Sequence, residues 1–365
     1  MSHAPRNGEP VSAADPGAEP GASARQGTAR GVGGHVRGLP PPWLFQLAVT
    51  AAFLGLLAWH VDLANVFTPI REANLGWTAL AMVVFPLTRP IDALRWQLYL
   101  ARVGRVPYPS LLGAFLVGNL ANNVLPLRMG DLVKIQVVAN RHGLSRAGLI
   151  TSRAVESVID GVTFVLMVLL GLGLLGVVVG PAPLLWALVS VSLLGLAGAL
   201  LVGRLLPREA PASRLARRLP ARLRALIEDA WPRVRDGLET MRDARLFGIT
   251  LALNVASWLV QALAFFLFGL AFGLDLPFVA YLGVTIAANV VTDVPITFQN
   301  FGTYEIVMLE FLALQGVGRE DAFAYALTTH ILSNLWVVFL GLAAMWLMRL
   351  RPGEILALRS PHAPR

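Results

Sequence analysis

GNLANNVLPLRMGD at 118–131 and AANVVTDVPITFQNFGTYE at 287–305 decide how this chain is read. Each leaves an apolar run, breaks at a proline among amides and acids, and resumes through a glycine into a second apolar run. Neither reads as one clean membrane crossing, because Pro126 and Gly130, and Pro295 and Gly302, interrupt the helix in each. In hydrocarbon, irregular backbone is costly unless protein or water surrounds its unpaired groups. Both stretches are therefore predicted to be re-entrant helical hairpins whose half-helices aim their ends at a shared polar interior. An ordinary kinked helix pair with packed polar residues is the alternative.

Working outward, apolar runs occupy 43–61, 75–98, 149–179, 184–204, 247–272 and 323–348. Each reaches the roughly 20 residues a helix needs to cross about 30 Å of hydrocarbon. The expected fold class is an all-α integral membrane protein with six full transmembrane helices plus the two hairpins. Composition agrees: of 365 residues, 56% are hydrophobic and 14% charged, too few charges to cover a surface in water. The absence of cysteine excludes disulfides, a thiolate nucleophile and zinc–thiolate sites.

Residues 1–40 carry Pro, Gly, Ala and Ser without an apolar period, which predicts a disordered cytoplasmic tail rather than a signal peptide. A membrane domain over 41–350 and a cytoplasmic tail over 351–365 follow. Basic residues set the orientation. With the N-terminus inside, the segments 1–40, 101–148, 205–246 and 349–365 hold four, six, ten and four of them, while the outside segments hold only Arg71 and Arg319. Both termini are expected on the cytoplasmic side of a multi-pass protein of the cytoplasmic (inner) membrane. The loop 205–246 spaces arginines helically between Leu, Ile and Trp231, so it reads either as an amphipathic helix on anionic headgroups or as a solvated connector.

Laying 112–170 over 282–340 aligns Leu112-Gly113 with Leu282-Gly283 and Asn119 with Asn289. It also aligns Gly130 with Gly302 and Gly143-x-x-Arg146 with Gly316-x-x-Arg319, with Pro126 one place from Pro295. Three apolar runs separate the copies, so the second enters from the opposite face. That is an inverted repeat, an arrangement many transporters build around a midplane site.

Ionisable groups at membrane depth face an interior or pair with one another. The candidates are Arg128, Asp131, Arg153, Glu156 and Asp160 in the first copy, and Asp293, Glu305 and His330 in the second. Arg153, Glu156 and Asp160 share one helical face and form either a self-neutralised cluster or part of a substrate site. Asn119, Asn122, Asn123, Asn289, Gln299, Asn300 and Asn334 add neutral hydrogen-bonding groups. Arg128, beside a broken helix, suits a phosphate oxygen. GLGLLG at 171–176 matches a dinucleotide-binding spacing but lies inside a spanning run with no strand before it. No two histidines have metal-ligand spacing, and no hydrolase or P-loop motif is present.

GNLANNVLPLRMGDLVK, followed by ANRHGLSRA and AVESVIDG, resembles the flippase-like family, also described as the lysylphosphatidylglycerol synthase transmembrane region. That family's N…P-x-R-x-G-[ED]-x-x-R pattern falls on Asn119, Pro126, Arg128, Gly130 and Asp131, with Lys134 where Arg is commoner. Its acidic pair falls on Glu156 and Asp160. Its P-x-[ST]-x-G-G-x-G-x-x-E pattern falls on Pro295, Thr297, Gly302 and Glu305, with Gln299-Asn300 in place of the glycine pair. The resemblance covers roughly 43–349 and implies a protein that moves or handles a polar phospho- or glycolipid. No aminoacyltransferase domain follows, so an enzyme is not expected. Headgroup contacts are assigned to Arg128, Asn119, Asn123, Asp131, Glu156, Asp160, Asn289, Asp293 and Glu305. Membrane lipids, with anionic headgroups at the basic loop, are the expected partners; no cofactor, metal or nucleic acid is expected. A membrane partner that recruits a lipid- or glycan-modifying enzyme, and a proton-coupled small-solute carrier, are the other readings.

Overall fold

The computed structural model describes residues 42–60, 63–101, 103–125, 129–175, 243–293 and 297–351, with isolated positions at 190, 193, 194, 197 and 353. These belong to the compact unit Pro40–Arg365. The tail 1–40, most of the run at 184–204, the loop as far as residue 242, and Pro126, Arg128 and Pro295 lie outside the described residues. Every regular element among the described residues is helical.

The chain enters through α1 (Pro42–His60), α2 (Leu63–Glu72) and α3 (Leu75–Val84). Asn74 starts α3, its side-chain oxygen accepting from the N–H groups of Gly76 and Trp77 at 2.9 and 3.2 Å. The run at 75–98 is helical throughout: α3 tightens into a 3-10 turn at Phe85–Leu87 and continues as α4 (Thr88–Leu100). Pro86 sits in that turn, where it supplies no N–H and crowds the preceding carbonyls. The next helices are α5 (Tyr108–Val124), α6 (Gly130–His142), α7 (Arg146–Leu175) and α8 (Ala244–Ala271). After α9 (Phe278–Asp293) comes a 3-10 turn at Phe298–Asn300, then α10 (Thr303–Leu314) and α11 (Arg319–Leu347). Among the described residues, α8 and α11 are the helices long and apolar enough to cross a membrane. α7 is comparable in length but carries Arg146, Arg153, Glu156 and Asp160.

Both interrupted stretches fold as helical hairpins. In the first, Ser110 Oγ lies 2.7 Å from His142 Nε2, and Asn122 Oδ1 accepts from the Gly130 N–H at 2.7 Å, so the partners step in opposite senses and α5 lies antiparallel to α6. The backbones touch where neither chain has a side chain: a Cβ on Gly118 would stand 2.9 Å from the Gly130 carbonyl oxygen. In the second, the hydroxyls of Thr297 and Thr303 meet at 2.9 Å, and a Cβ on Gly283 would strike the Phe311 ring, so α9 and α10 are also antiparallel.

The relative direction of the hairpins follows from α11. Asn123 on α5 donates to Asn334 on α11 at 2.8 Å, while Gly113 packs against Met348, so α5 runs against α11. Only residues 315–318 separate the end of α10 from the start of α11, yet Tyr304 and Glu305 at the start of α10 meet Thr329 and His330 well along α11, at 3.3 and 2.6 Å, so α10 also runs against α11. Hence α5 and α10 share a direction, and α9 opposes both. The elements correspond in order: α5 and α9 begin at Tyr108 and Phe278, α6 and α10 at Gly130 and Thr303, and α7 and α11 at Arg146 and Arg319. Before each long helix a glycine takes the left-handed conformation, Gly143 at φ 65 and Gly316 at φ 87.

Side chains pack in three clusters. Trp96, Leu111, Val138, Leu149 and Ile159 join α4 to α7, and Ala344 brings in the end of α11. Phe265, Phe268, Tyr281, Met308 and Tyr325 hold α8 to α11, with Ala81 of α3 against them. Val168, Trp258 and Ile286 connect the two groups. Facing outward are Trp59 at 87% and Trp346 at 78% exposure, with Val83 and Phe339. Lipid covers such a surface without penalty; water does not.

Candidate functional site

The described residues at the hairpin tips, with α1, α4, α8 and α11, line an open-sided cavity of about 250 Å³. Carboxamides build much of its wall: Asn119 and Asn123 on α5, Gln261 on α8, Asn289 on α9, and Gln299 and Asn300 in the 3-10 turn. Several hold one another in place. Asn123 donates to Asn334, which donates to the His330 carbonyl at 3.0 Å, and Asn289 donates to Gln261 at 3.1 Å. Among the described lining residues Arg89 is the one permanent cation, and none is a carboxylate.

The second tip has an unusual backbone. Gln299 and Asn300 both lie in the left-handed region, at φ 50 and φ 62. Glycine adopts that conformation freely, which is the physical sense of the glycine pair in the resembling pattern; here two side chains bear the strain. They also do something glycine cannot. Gln299 donates through its side-chain amide to the Asn123 carbonyl of the opposite tip. Asn300 Oδ1 is buried without a hydrogen-bond partner, as is Asn119 Nδ2. The tip is braced from α1, where Thr50 Oγ1 accepts from the Phe298 N–H at 2.8 Å.

Glu305 stands just behind the wall, 0% exposed. One carboxylate oxygen accepts from the Gly302 N–H at 2.6 Å and so caps α10; the other lies 2.6 Å from His330 Nδ1. The His330 ring stacks on Tyr304, with centroids 4.4 Å apart, and reaches the cavity. Glu305 therefore touches the cavity through His330.

A separate network ties the first hairpin to its neighbours. Arg95 of α4 pairs with Asp160 at 2.8 Å and Glu156 at 3.2 Å. Lys134 of α6 pairs with Asp131 at 3.1 Å and Glu156 at 3.3 Å, and Arg153 of α7 with Asp131 at 3.0 Å. Asp92 joins Arg95 at 4.0 Å to Arg89 at 3.7 Å, so four cations meet four anions, and the Lys134 ammonium also lies over the Trp96 and Phe115 rings at 5.0 and 4.9 Å. Charge balance makes burial of this cluster tolerable.

The family profile described as lysylphosphatidylglycerol synthase TM region matches residues 43–341. The chain belongs to this family. This lysylphosphatidylglycerol synthase TM region protein is 26% identical over 332 residues to the glycosyltransferase AglD of Haloferax volcanii, covering 82% of this chain. It spans only 53% of AglD's length. It is 24% identical over 319 residues to a UPF0104 membrane protein of Methanothermobacter thermautotrophicus, covering 82% of this chain and 91% of that one. It is accordingly a membrane protein.

Within this lysylphosphatidylglycerol synthase TM region fold the site residues expected from sequence separate into groups. Asn119, Asn123 and Asn289 line the cavity together. Asp131, Glu156 and Asp160 belong to the ion-pair network instead, and Glu305 sits behind His330. Asp293 ends α9, with its side chain outside the described residues, as is Arg128. Arg89 and Gln261 were not singled out by the sequence reading. Arg89 has a signal, a cation inside the apolar run 75–98; Gln261 has none, since one amide in a long helix announces nothing about what it faces.

Proposed function

We propose that this chain is a multi-pass protein of the cytoplasmic membrane that passes the headgroup of a polar phospho- or glycolipid through the cavity at the hairpin tips. In this reading α5–α6 and α9–α10 are re-entrant hairpins of an inverted repeat, and both termini are cytoplasmic. The observation that carries it is the meeting of two oppositely directed, broken helical hairpins over a wall of carboxamides. Hydrocarbon cannot replace the water a headgroup loses, whereas such a wall can. Asn119, Asn123 and Asn289 bond the headgroup, with Arg128 and Asp293 assigned to the tips. Glu305 acts through His330, and the ion network of Asp131, Glu156 and Asp160 holds the first hairpin in position.

The test is reconstitution into vesicles with headgroup-labelled phospho- and glycolipids, following the fraction accessible from outside. Transbilayer movement faster than in protein-free vesicles, and slowed by Asn123→Ala, is expected. No acceleration across the panel would falsify the reading. Fusions of a fluorescent protein and of a periplasmic phosphatase to the C-terminus report its side of the membrane; fluorescence without phosphatase activity is expected.

A further inference from the structure

We propose that Glu305 and His330 together form a proton-binding site, and that lipid movement through the cavity is coupled to a proton gained and lost there. This rests on reading the cavity as a lipid path and adds the ion that drives it.

Charge counting singles out the pair. Among the described residues the other buried carboxylates are Asp92 and Glu156, and each faces permanent cations: Arg89 and Arg95 at 3.7 and 4.0 Å, and Arg95 and Lys134 at 3.2 and 3.3 Å. Glu305, 0% exposed, has no described arginine or lysine within reach; its partners are the Gly302 N–H and His330 Nδ1, both at 2.6 Å. An imidazole is a cation only when it holds a second proton. The pair is therefore neutral while one exchangeable proton sits on either member and negative without it, a difference that a dry interior weights heavily. Glu305 has no outlet of its own, but His330 lines the cavity. A proton passes from cavity water to the imidazole, on to the carboxylate through the 2.6 Å contact, and back to water; only N–H and O–H bonds form and break.

Both tips are tied to this proton. Gly302, at φ 87, closes the second tip, and its N–H is held by the carboxylate that takes the proton. The His330 carbonyl accepts from Asn334, which accepts in turn from Asn123 of the first tip. Protonating Glu305 removes charge from the acceptor that fixes Gly302, and a charge-assisted hydrogen bond is roughly twice as strong as a neutral one. Few described groups face the pair. On its own hairpin, Tyr304 stacks on the imidazole while its hydroxyl meets Thr329 at 3.3 Å, and the Phe301 ring centroid lies 4.6 Å from the imidazole. Across the cavity α1, α5, α8 and α9 present the amides Gln46, Asn123, Gln261 and Asn289, and α4 presents Arg89, accompanied by Asp92 at 3.7 Å. Asp293 ends α9 with its side chain outside the described residues and enters the test as a variant.

The experiment places the full chain in sealed vesicles with trace headgroup-labelled phospho- and glycolipids and a trapped pH dye, the membrane potential held at zero by potassium and valinomycin. A pH gradient of about one unit should leave the moved lipid about tenfold unequal between leaflets, the ratio one proton per lipid supports, and the movement should shift the dye signal. Reversing the gradient should reverse the excess. In Glu305→Gln and His330→Gln the residual movement should end evenly whatever the gradient, while Asp293→Asn keeps the response. Melting midpoints establish that each variant is folded. Nitrogen-15 histidine spectra of the full chain give a readout independent of lipid: the signal missing from His330→Gln should change between roughly pH 5 and 8, and change differently in Glu305→Gln. A His330 signal that keeps one form throughout overturns the proton site. Even distribution by the parent under both gradients overturns the coupling and leaves lipid movement intact. A response that survives in Glu305→Gln and His330→Gln, or is lost in Asp293→Asn alone, puts the proton elsewhere and overturns the assignment. No movement by the parent under any gradient overturns the lipid reading itself, and the coupling with it.

Discussion

The side-chain amide of Gln299 donates to the main-chain carbonyl of Asn123, joining two hairpin tips that lie 176 residues apart in the chain. Backbone at a helix break has free carbonyls, and this contact satisfies one of them from the opposite hairpin. The chain has no cysteine, so cysteines can be introduced without background. The pair Asn123→Cys with Gln299→Cys should be joined by a short bifunctional thiol reagent in native membranes, giving a mobility shift on denaturing gels. The pair Ser110→Cys with Gln299→Cys, which moves one thiol to the far end of α5, should stay unlinked. Equal linking of both pairs would show that the tips do not meet.

Asn300 bears two costs, a left-handed backbone at φ 62 and a buried acceptor without a partner. Asn300→Gly relieves both, and a gain of about 1–2 kcal/mol is expected, read as a higher melting midpoint of the purified protein in detergent. Headgroup binding should fall in the same variant, because residues that strain a site are kept for what they touch. A lower midpoint with unchanged binding would assign Asn300 a purely structural part.

Glu156 receives Arg95 and Lys134 within the ion network, at 3% exposure. Glu156→Gln leaves buried cations short of one anion and is expected to cost about 3–5 kcal/mol. Lys134→Met combined with Glu156→Gln removes one charge of each sign and should recover part of that loss. Melting midpoints of the two single variants and the double variant measure the coupling. Additive losses would mean that Lys134 and Glu156 act independently.

Glu305→Ala removes the cap of α10 and the partner of His330 together. A loss of about 2–4 kcal/mol is expected from the missing cap and the buried groups left unpaired. Glu305→Gln keeps an acceptor for Gly302 and offers a donor to His330, so its stability should lie much nearer to the parent. If Gln also leaves lipid movement intact, the pair positions His330; if movement stops while the protein stays folded, the charge on Glu305 takes part in transport.

Much of this architecture is written along the chain. The glycine and proline positions at 118–131 and 287–305 already divide α5 from α6 and α9 from α10. The asparagines on the first and second copies reach the cavity because they lie within a turn or two of those breaks, where a helix end must face something polar. Within the run at 75–98, mean hydropathy averages over Pro86 and so does not register the 3-10 turn that tightens the helix there. Asp131, Glu156 and Asp160 look like substrate ligands for a related reason. The partners of Glu156 and Asp160, Arg95 and Lys134, come from two other helices, and helical spacing on α7 alone does not reveal them, while Asp131 meets Lys134 three places on in its own helix and Arg153 from α7.

Amino-acid order suffices for properties that depend on neighbours a few places away: helices, their breaks and the apolar exterior. Which polar groups neutralise one another depended on packing between helices whose paired residues lie 22 to 65 places apart, and which amides face the cavity depended on contacts more than 150 residues apart. Ser257 reaching Asp92 and Gln299 reaching Asn123 are such contacts. Side chains in a dry interior must find partners wherever the fold brings them, and only the folded chain determines those distances.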